Sequence, residues 1–220
     1  MQTTMNSLAQ QFLTEAEQKK ISALVQQMEQ QTSGEIVPMV VSASHSYPTA
    51  MICGASVLAF PLALLLMPVL GGLFWLGSQN VWIFIALFMV SYGIFYKLVQ
   101  RFVWLKRPFL SRRQIEEEVQ EAAIKSFFVE KLYQTRDANG ILIFISILER
   151  KVWVLGDSGI NARIDPEEWQ AIVKLITKGI KEKRPCEAIC EAISRIGATL
   201  KTHFPIKEDD VNELHNIIVR

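Results

Sequence analysis

Between Ile36 and Tyr96 the chain carries no Asp, Glu, Lys or Arg; all of its residues of those four types lie in the flanking segments. No other feature restricts the fold so much. Within that stretch Ala50 to Gly77 is apolar and uncharged, longer than the roughly 20 residues that cross a hydrocarbon core of about 30 Å. After a short polar link, Ser78-Gln79-Asn80, a second apolar run extends from Val81 to about Val99. The pattern predicts a transmembrane helical hairpin, with spans at about 50–77 and 81–99. A hairpin hidden in a soluble core is the competing expectation, and 220 residues offer too small a core for two such runs. Pro61 and Pro68 are expected kink positions, and Gly71-Gly72 loosens the far end of the first span. Trp75, Trp82, Tyr92, Tyr96 and Trp104 fall near the expected interfaces, where a ring with a polar edge is favoured.

Orientation follows from the flanks. Lys97, Arg101, Lys106, Arg107, Arg112 and Arg113 follow the second span, while the Ser78 to Asn80 link is uncharged. The positive-inside rule assigns the basic flank to the cytoplasm, and two spans return the chain to the side it left. The expected location is the cell (inner) membrane, multi-pass, with the soluble domain and both termini cytoplasmic. Met1 to Leu13 is polar and lacks a basic region followed by an apolar run, so a cleavable signal peptide is not expected. The basic stretch from Arg101 to Arg113 is first a stop-transfer flank; a second role is capture of anionic lipid at about 1 kcal/mol per near-surface charge. A net charge of only +1 favours neither nucleic acid nor a strongly acidic substrate, which leaves the lipid bilayer and a protein of unknown identity as expected partners. Three cysteines, with Cys53 inside the apolar stretch, argue against a disulfide framework and for a reducing compartment. Cys186 and Cys190 share a predicted helix face with Ile189 and Ile193, as core residues do.

The polar arms read as α/β. Thr14-Glu-Ala-Glu17 matches a capping box, Ile21, Leu24, Val25 and Met28 continue it at one-face helical spacing, and Gly34 is the expected left-handed terminator. Glu35 to Ser42 reads as a strand, which Pro38 assigns to a sheet edge or a bulge. Beyond the membrane, Ser111-Arg-Arg-Gln114 opens a predicted helix through Val119, Ala123 and Leu132, whose acidic face at Glu116 to Glu118 and Glu121 is expected to be solvated. Tyr133 to Gly140 is a polar loop, Ile141 to Leu148 a strand buried on both faces, and Glu149-Arg150 a tight reversal into a hairpin partner, Lys151 to Leu155. Asp165-Pro-Glu-Glu168 starts a helix with Trp169, Ile172, Val173, Ile176 and Ile180 on one face. Pro185 opens another, striped by Cys186, Ile189, Cys190, Ile193, Ile196 and Leu200, and a terminal helix is expected from about Lys207 to Val219. One helix and one strand before the hairpin cannot bury a core alone. Both arms emerge at one membrane face, so they are expected to fold together: 1–48 as the first part of a split domain, 49–106 as the hairpin with its basic flank, and 107–220 as the second part. The expected fold is a three-layer α/β/α sandwich with a small mixed sheet of three or four strands, interrupted by the transmembrane hairpin.

Leu13-Thr-Glu-Ala-Glu17, Thr32-Ser-Gly-Glu-Ile-Val37, Asn139-Gly-Ile-Leu-Ile-Phe-Ile-Ser146, Leu148-Glu-Arg-Lys-Val152, Gly156-Asp-Ser-Gly-Ile160 and Asp165 together resemble the TPM domain family. The resemblance covers nearly all of the chain outside the hairpin and implies the α/β/α sandwich. Some members of that family look like weak acid phosphatases or calcium binders, and others serve as accessory factors of membrane complexes. Carried onto this chain, the family's acidic positions imply Asp137 and Asn139 in one loop and Asp157 and Asp165 around the Gly159 turn as oxygen ligands for Ca²⁺ or Mg²⁺. The chain departs from the family in its inserted hairpin, in its expected compartment and in Ser158 within the small-residue turn.

Two functions follow. A non-catalytic binding or accessory module acting on a membrane or cytoplasmic partner fits a sequence with no nucleophile elbow, phosphate-binding glycine loop or zinc spacing. The alternative is a divalent-metal-dependent weak phosphatase using Asp137, Asp157 and Asp165. Asp165 also suits a plain helix cap, and Asp157 a turn before Gly159. His45, His203 and His215 share no motif and are expected to be solvated or satisfied side chains.

Overall fold

Thr14 starts the first long helix by the exchange its sequence promises: its Oγ1 accepts from the Glu17 amide at 3.3 Å, and its own amide donates to Glu17 Oε2 at 2.8 Å. The computed structural model describes residues 6–73, 81–206 and 214–220. In chain order the elements are α1 (Asn6–Phe12), α2 (Glu15–Glu29), β1 (Glu35–Val41), α3 (Pro48–Leu73), α4 (Val81–Arg101), α5 (Val103–Lys106) and α6 (Arg112–Val129). They continue with β2 (Gly140–Ser146), β3 (Lys151–Gly156), α7 (Ser158–Asn161), α8 (Pro166–Lys181), α9 (Pro185–His203) and β4 (Ile218–Val219). The chain divides into two compact units, Met1–His45 with Glu116–Arg220, and Ser46–Ile115.

In the first unit the strands form one mixed sheet in the order β3-β2-β1-β4. β1 runs parallel to both β2 and β4, whereas β2 and β3 are antiparallel. The two arms of the chain therefore complete each other, as neither alone holds enough strands to bury a core. On one face Ile36, Val40, Ile141, Ile143 and Ile145 pack with Ile21 and Val25 of α2, Ile172 and Ile176 of α8, and Ile189, Ile193 and Leu200 of α9. The period-two alternation turns Val37, Met39, Leu142 and Phe144 to the opposite face, and they too are buried. α6, with Val119, Ala123 and Phe127 buried, covers that side; its ends are held by the Glu116–Lys151 ion pair at 2.7 Å and the Glu130–Arg220 pair at 2.8 Å. The result is the mixed α/β sandwich expected from the sequence.

Three local expectations are corrected, and one helix is added. Pro38 lies in a strand paired on both sides rather than at an edge. Glu35 donates to Asn139 and Val41 accepts from Ile147 on the β2 side, while Val40 and Ser42 bond Arg220 on the other. By alternation Pro38 faces the β4 side, where pairing begins only at Met39; its missing N–H removes no ladder bond there. Gly34 does not end α2 in a left-handed turn, since the helix stops at Glu29 with Gln30 still right-handed. Gly34 instead lies against the core: a Cβ there would come within 2.8 Å of Leu200 Cδ1, and the leucine side chain would have to shift. The terminal helix gives way to strand β4 at Ile218–Val219, and 207–213 lie outside the described residues. Finally, α1 forms within the polar N-terminal segment, with Ala9 and Leu13 fully buried.

The second unit contains α3 and α4, which among the described residues are the two helices long and apolar enough to cross a membrane. At 1.5 Å per residue they extend about 39 Å and about 32 Å, from 26 and 21 residues. α3 buries Gly54, Ala55, Ala59 and Ala63, and α4 buries Ser91 and Val99; small side chains allow close helix approach. α3 stays helical through Pro61 and Pro68. Phe84, Phe88, Tyr92 and Tyr96 form one row along α4, with ring centroids 6.0–6.2 Å apart, so Tyr92 belongs to a mid-helix ladder. Trp75, the Ser78–Asn80 link and the side chain of Trp104 lie outside the described residues.

Candidate functional site

The antiparallel register of β2 and β3 pairs Ile141 with Gly156, which brings the loop before β2 against the turn after β3. Asp137 and Asn139 lie in the first, Asp157 and Gly159 in the second. The Asp157 amide donates to the Gly140 carbonyl at 2.9 Å and the Gly159 amide to Ala138 at 3.1 Å. Glycine is required at 159 because a Cβ would meet the carbonyl oxygens of Ala138 at 2.7 Å and Asp137 at 2.9 Å. Asp157 caps α7, its Oδ1 accepting from the Ser158 amide at 2.6 Å. Its other oxygen, Oδ2, is buried and has no hydrogen-bond partner among the described residues.

Asn139 has a structural task here. Its amide group donates to the Ser33 carbonyl, its N–H donates to Thr135 Oγ1 at 3.1 Å, and its carbonyl accepts from the Glu35 amide at 3.2 Å. It thereby ties the start of β2 to the start of β1. Asp165 caps α8 at a separate helix start, with Oδ1 accepting from the Glu167 amide at 2.9 Å. Thus the loops bearing Asp137, Asn139 and Asp157 adjoin. Among the described residues, no three His, Cys, Asp or Glu side chains converge closely enough to hold a metal ion. The donors at the loop pair, Asp157 Oδ2 and the neighbouring carbonyls, suit Ca²⁺ or Mg²⁺ in kind and fall short of a six-oxygen shell in number.

The opposite end of the sheet, outside the carboxyl ends of β1 and β2, holds a feature the sequence reading missed. Glu149 is buried, its Oε1 accepting from the Ser44 amide at 3.0 Å and its Oε2 from the Ser146 hydroxyl. The Glu-Arg reversal is thus also the lock between the exit of β1 and the β2–β3 hairpin. A glutamate three residues after Ser146, at the end of an apolar strand, was the available signal. Arg150 completes the reversal in the left-handed region at φ 53°. Beside it His45 Nδ1 pairs with Glu118 at 2.9 Å, so that part of the acidic face of α6 is engaged. His203 and His215 are exposed and stand apart.

The TPM domain family model matches residues 109–199. No curated protein matches the chain significantly. Among solved structures, the NMR structure of the BA42 protein from the psychrophilic bacterium Bizionia argentinensis is similar in fold, with a TM-score of 0.56 at 20% identity over 94% of this chain and 94% of that one. β1 and α2 precede the matched span, yet β1 pairs with β2 inside it along its whole length, so the N-terminal arm completes the domain's sheet. The match runs from the basic flank through most of α9, and over those residues the chain is similar to the TPM domain family.

Proposed function

We propose that the protein is a membrane-anchored accessory module: its helical hairpin crosses the cell membrane and its TPM domain, in the cytoplasm, binds a membrane or cytoplasmic protein partner. One observation carries the anchoring. α3 and α4 pack through their small residues, while Leu65 at 70%, Val69 at 62%, Trp82 at 78% and Met89 at 66% exposure point outward. Apolar surface of that extent on both helices is unfavourable in water and favourable in lipid. The basic flank and uncharged link support cytoplasmic arms. The non-catalytic role is supported by how the polar groups are used: Asp157 and Asp165 cap helices and Asn139 and Glu149 tie strands and loops. Reporters fused at Arg220 and near Gln79 test the topology; opposite-side signals with Arg220 cytoplasmic are expected, and same-side signals would refute it. Crosslinking in cells followed by detergent extraction tests the module, and recovery of no stoichiometric neighbour would count against it.

One observation favours the second reading, a divalent-metal-dependent weak phosphatase. Asp157 Oδ2 is buried without a partner among the described residues, and Gly159, two residues on, lies against the Asp137 and Ala138 carbonyls. There Asp137, Asn139 and Asp157, with Asp165 nearby in sequence, would hold Ca²⁺ or Mg²⁺, and such a cation polarises a phosphoryl oxygen. Calcium or magnesium titration should raise the melting temperature, with Asp157→Ala abolishing the rise. A flat response removes this reading.

A further inference from the structure

β3 is the edge strand of the sheet. The Asp157 amide bonds inward to Gly140, so by alternation Lys151, Trp153 and Leu155 also bond towards β2. The N–H and C=O groups of Val152 and Val154 are left directed away from the sheet. A groove of about 800 Å³ runs along this edge. Val119 and Trp153 line one wall, on the α6 side, and Trp169 and Val173 of α8 line the other. Its floor includes β3 backbone that lacks a strand partner among the described residues, and its walls include apolar side chains from the helices on either side.

Charge selects the occupant. Glu116, the acid lining the groove, is paired with Lys151 at 2.7 Å. The remaining charged lining residues, Arg150, Lys174 and Lys181, are all cationic. Trp169 Nε1 is a buried donor with no acceptor among the described residues. Pairing with a second copy would set like-charged rims against each other, which disfavours it. We propose that the open edge of β3 takes up an extended acidic segment of a partner protein as an added strand, with apolar side chains at alternate positions filling the two walls. This deepens the accessory-module reading and rests on it.

The probe is a fluorescein-labelled peptide alternating Glu with Val or Phe, titrated by anisotropy against the full chain in phosphatidylcholine nanodiscs. Saturable binding is expected, weakened on the order of tenfold by the surface double variant Lys174→Glu/Lys181→Glu. It should be lost when alternate peptide amides are N-methylated or when Lys replaces Glu. Equal binding of the N-methylated peptide would reveal charge attraction without strand addition and overturn the proposal. So would unchanged affinity of the double variant, or concentration-dependent self-association through the same edge. If the peptide fails while cellular crosslinking still recovers one neighbour with wild type and double variant alike, the edge is refuted and the accessory reading stands; recovery of none refutes both.

Discussion

Burial pushes the Cys186 thiol up from its ordinary 9.0 to about 11, with neighbouring Cys190 adding to the shift. A raised folded-state value means the native protein holds that proton to higher pH than the unfolded chain. The associated stability is therefore complete below pH 9 and is lost as the pH rises towards 11. Thermal unfolding across that window should show wild type losing more stability than Cys186→Ala; parallel losses would refute the assignment. Gly159 makes a steric claim. Gly159→Ala would drive a methyl group against two backbone carbonyls, and such overpacking costs about 1–3 kcal/mol, readable as a lower melting temperature. Thr14→Ala removes one side of the capping box and should cost about 1 kcal/mol. The capping residues were legible because each bonds within three positions of itself. The burial of Asn139 and Glu149 was not, because their partners Ser33 and Ser44 are 106 and 105 residues away.

At the scale of elements, β4 is two residues long and does work that its length conceals. It covers the free edge of β1, and Arg220 beyond it both accepts from Ser42 and donates to Val40. Deleting 218–220 should lower the melting temperature and increase aggregation, because a long apolar strand edge is a template for pairing between chains. A truncated protein with unchanged stability and light scattering would contradict this. The long helices of the domain, α2, α6, α8 and α9, were legible from their helix starts and 3.6-residue stripes. β4 was not, since two residues carry no period and only pairing with Met39 and Val40 defines them as a strand. Pro38 misled for the same reason: its tolerance depends on where β4 begins, which no local pattern encodes.

On the scale of the whole molecule, the hairpin interrupts a domain whose cut ends are close together. His45 and Glu118, near the two sides of the insertion, are paired at 2.9 Å. Replacing Ser46–Ile115 with a short Gly/Ser linker should therefore leave the first unit folded, monomeric and soluble without detergent. Circular dichroism and size-exclusion chromatography check this, and an unfolded or aggregated product would show that the domain depends on its insertion. Sequence by itself determined the two apolar helices, the long helices α2, α6, α8 and α9 and the two-faced burial of β2, because hydrophobic burial and capping leave periodic and local marks along the chain. It also required the two arms to combine, since neither could bury a core. Only tertiary structure decided the strand order, the central place of β1, the Glu149 lock and the open edge of β3. Those depend on which distant segments fill each other's unmatched backbone bonds and volume, a property of contacts and not of neighbouring residues.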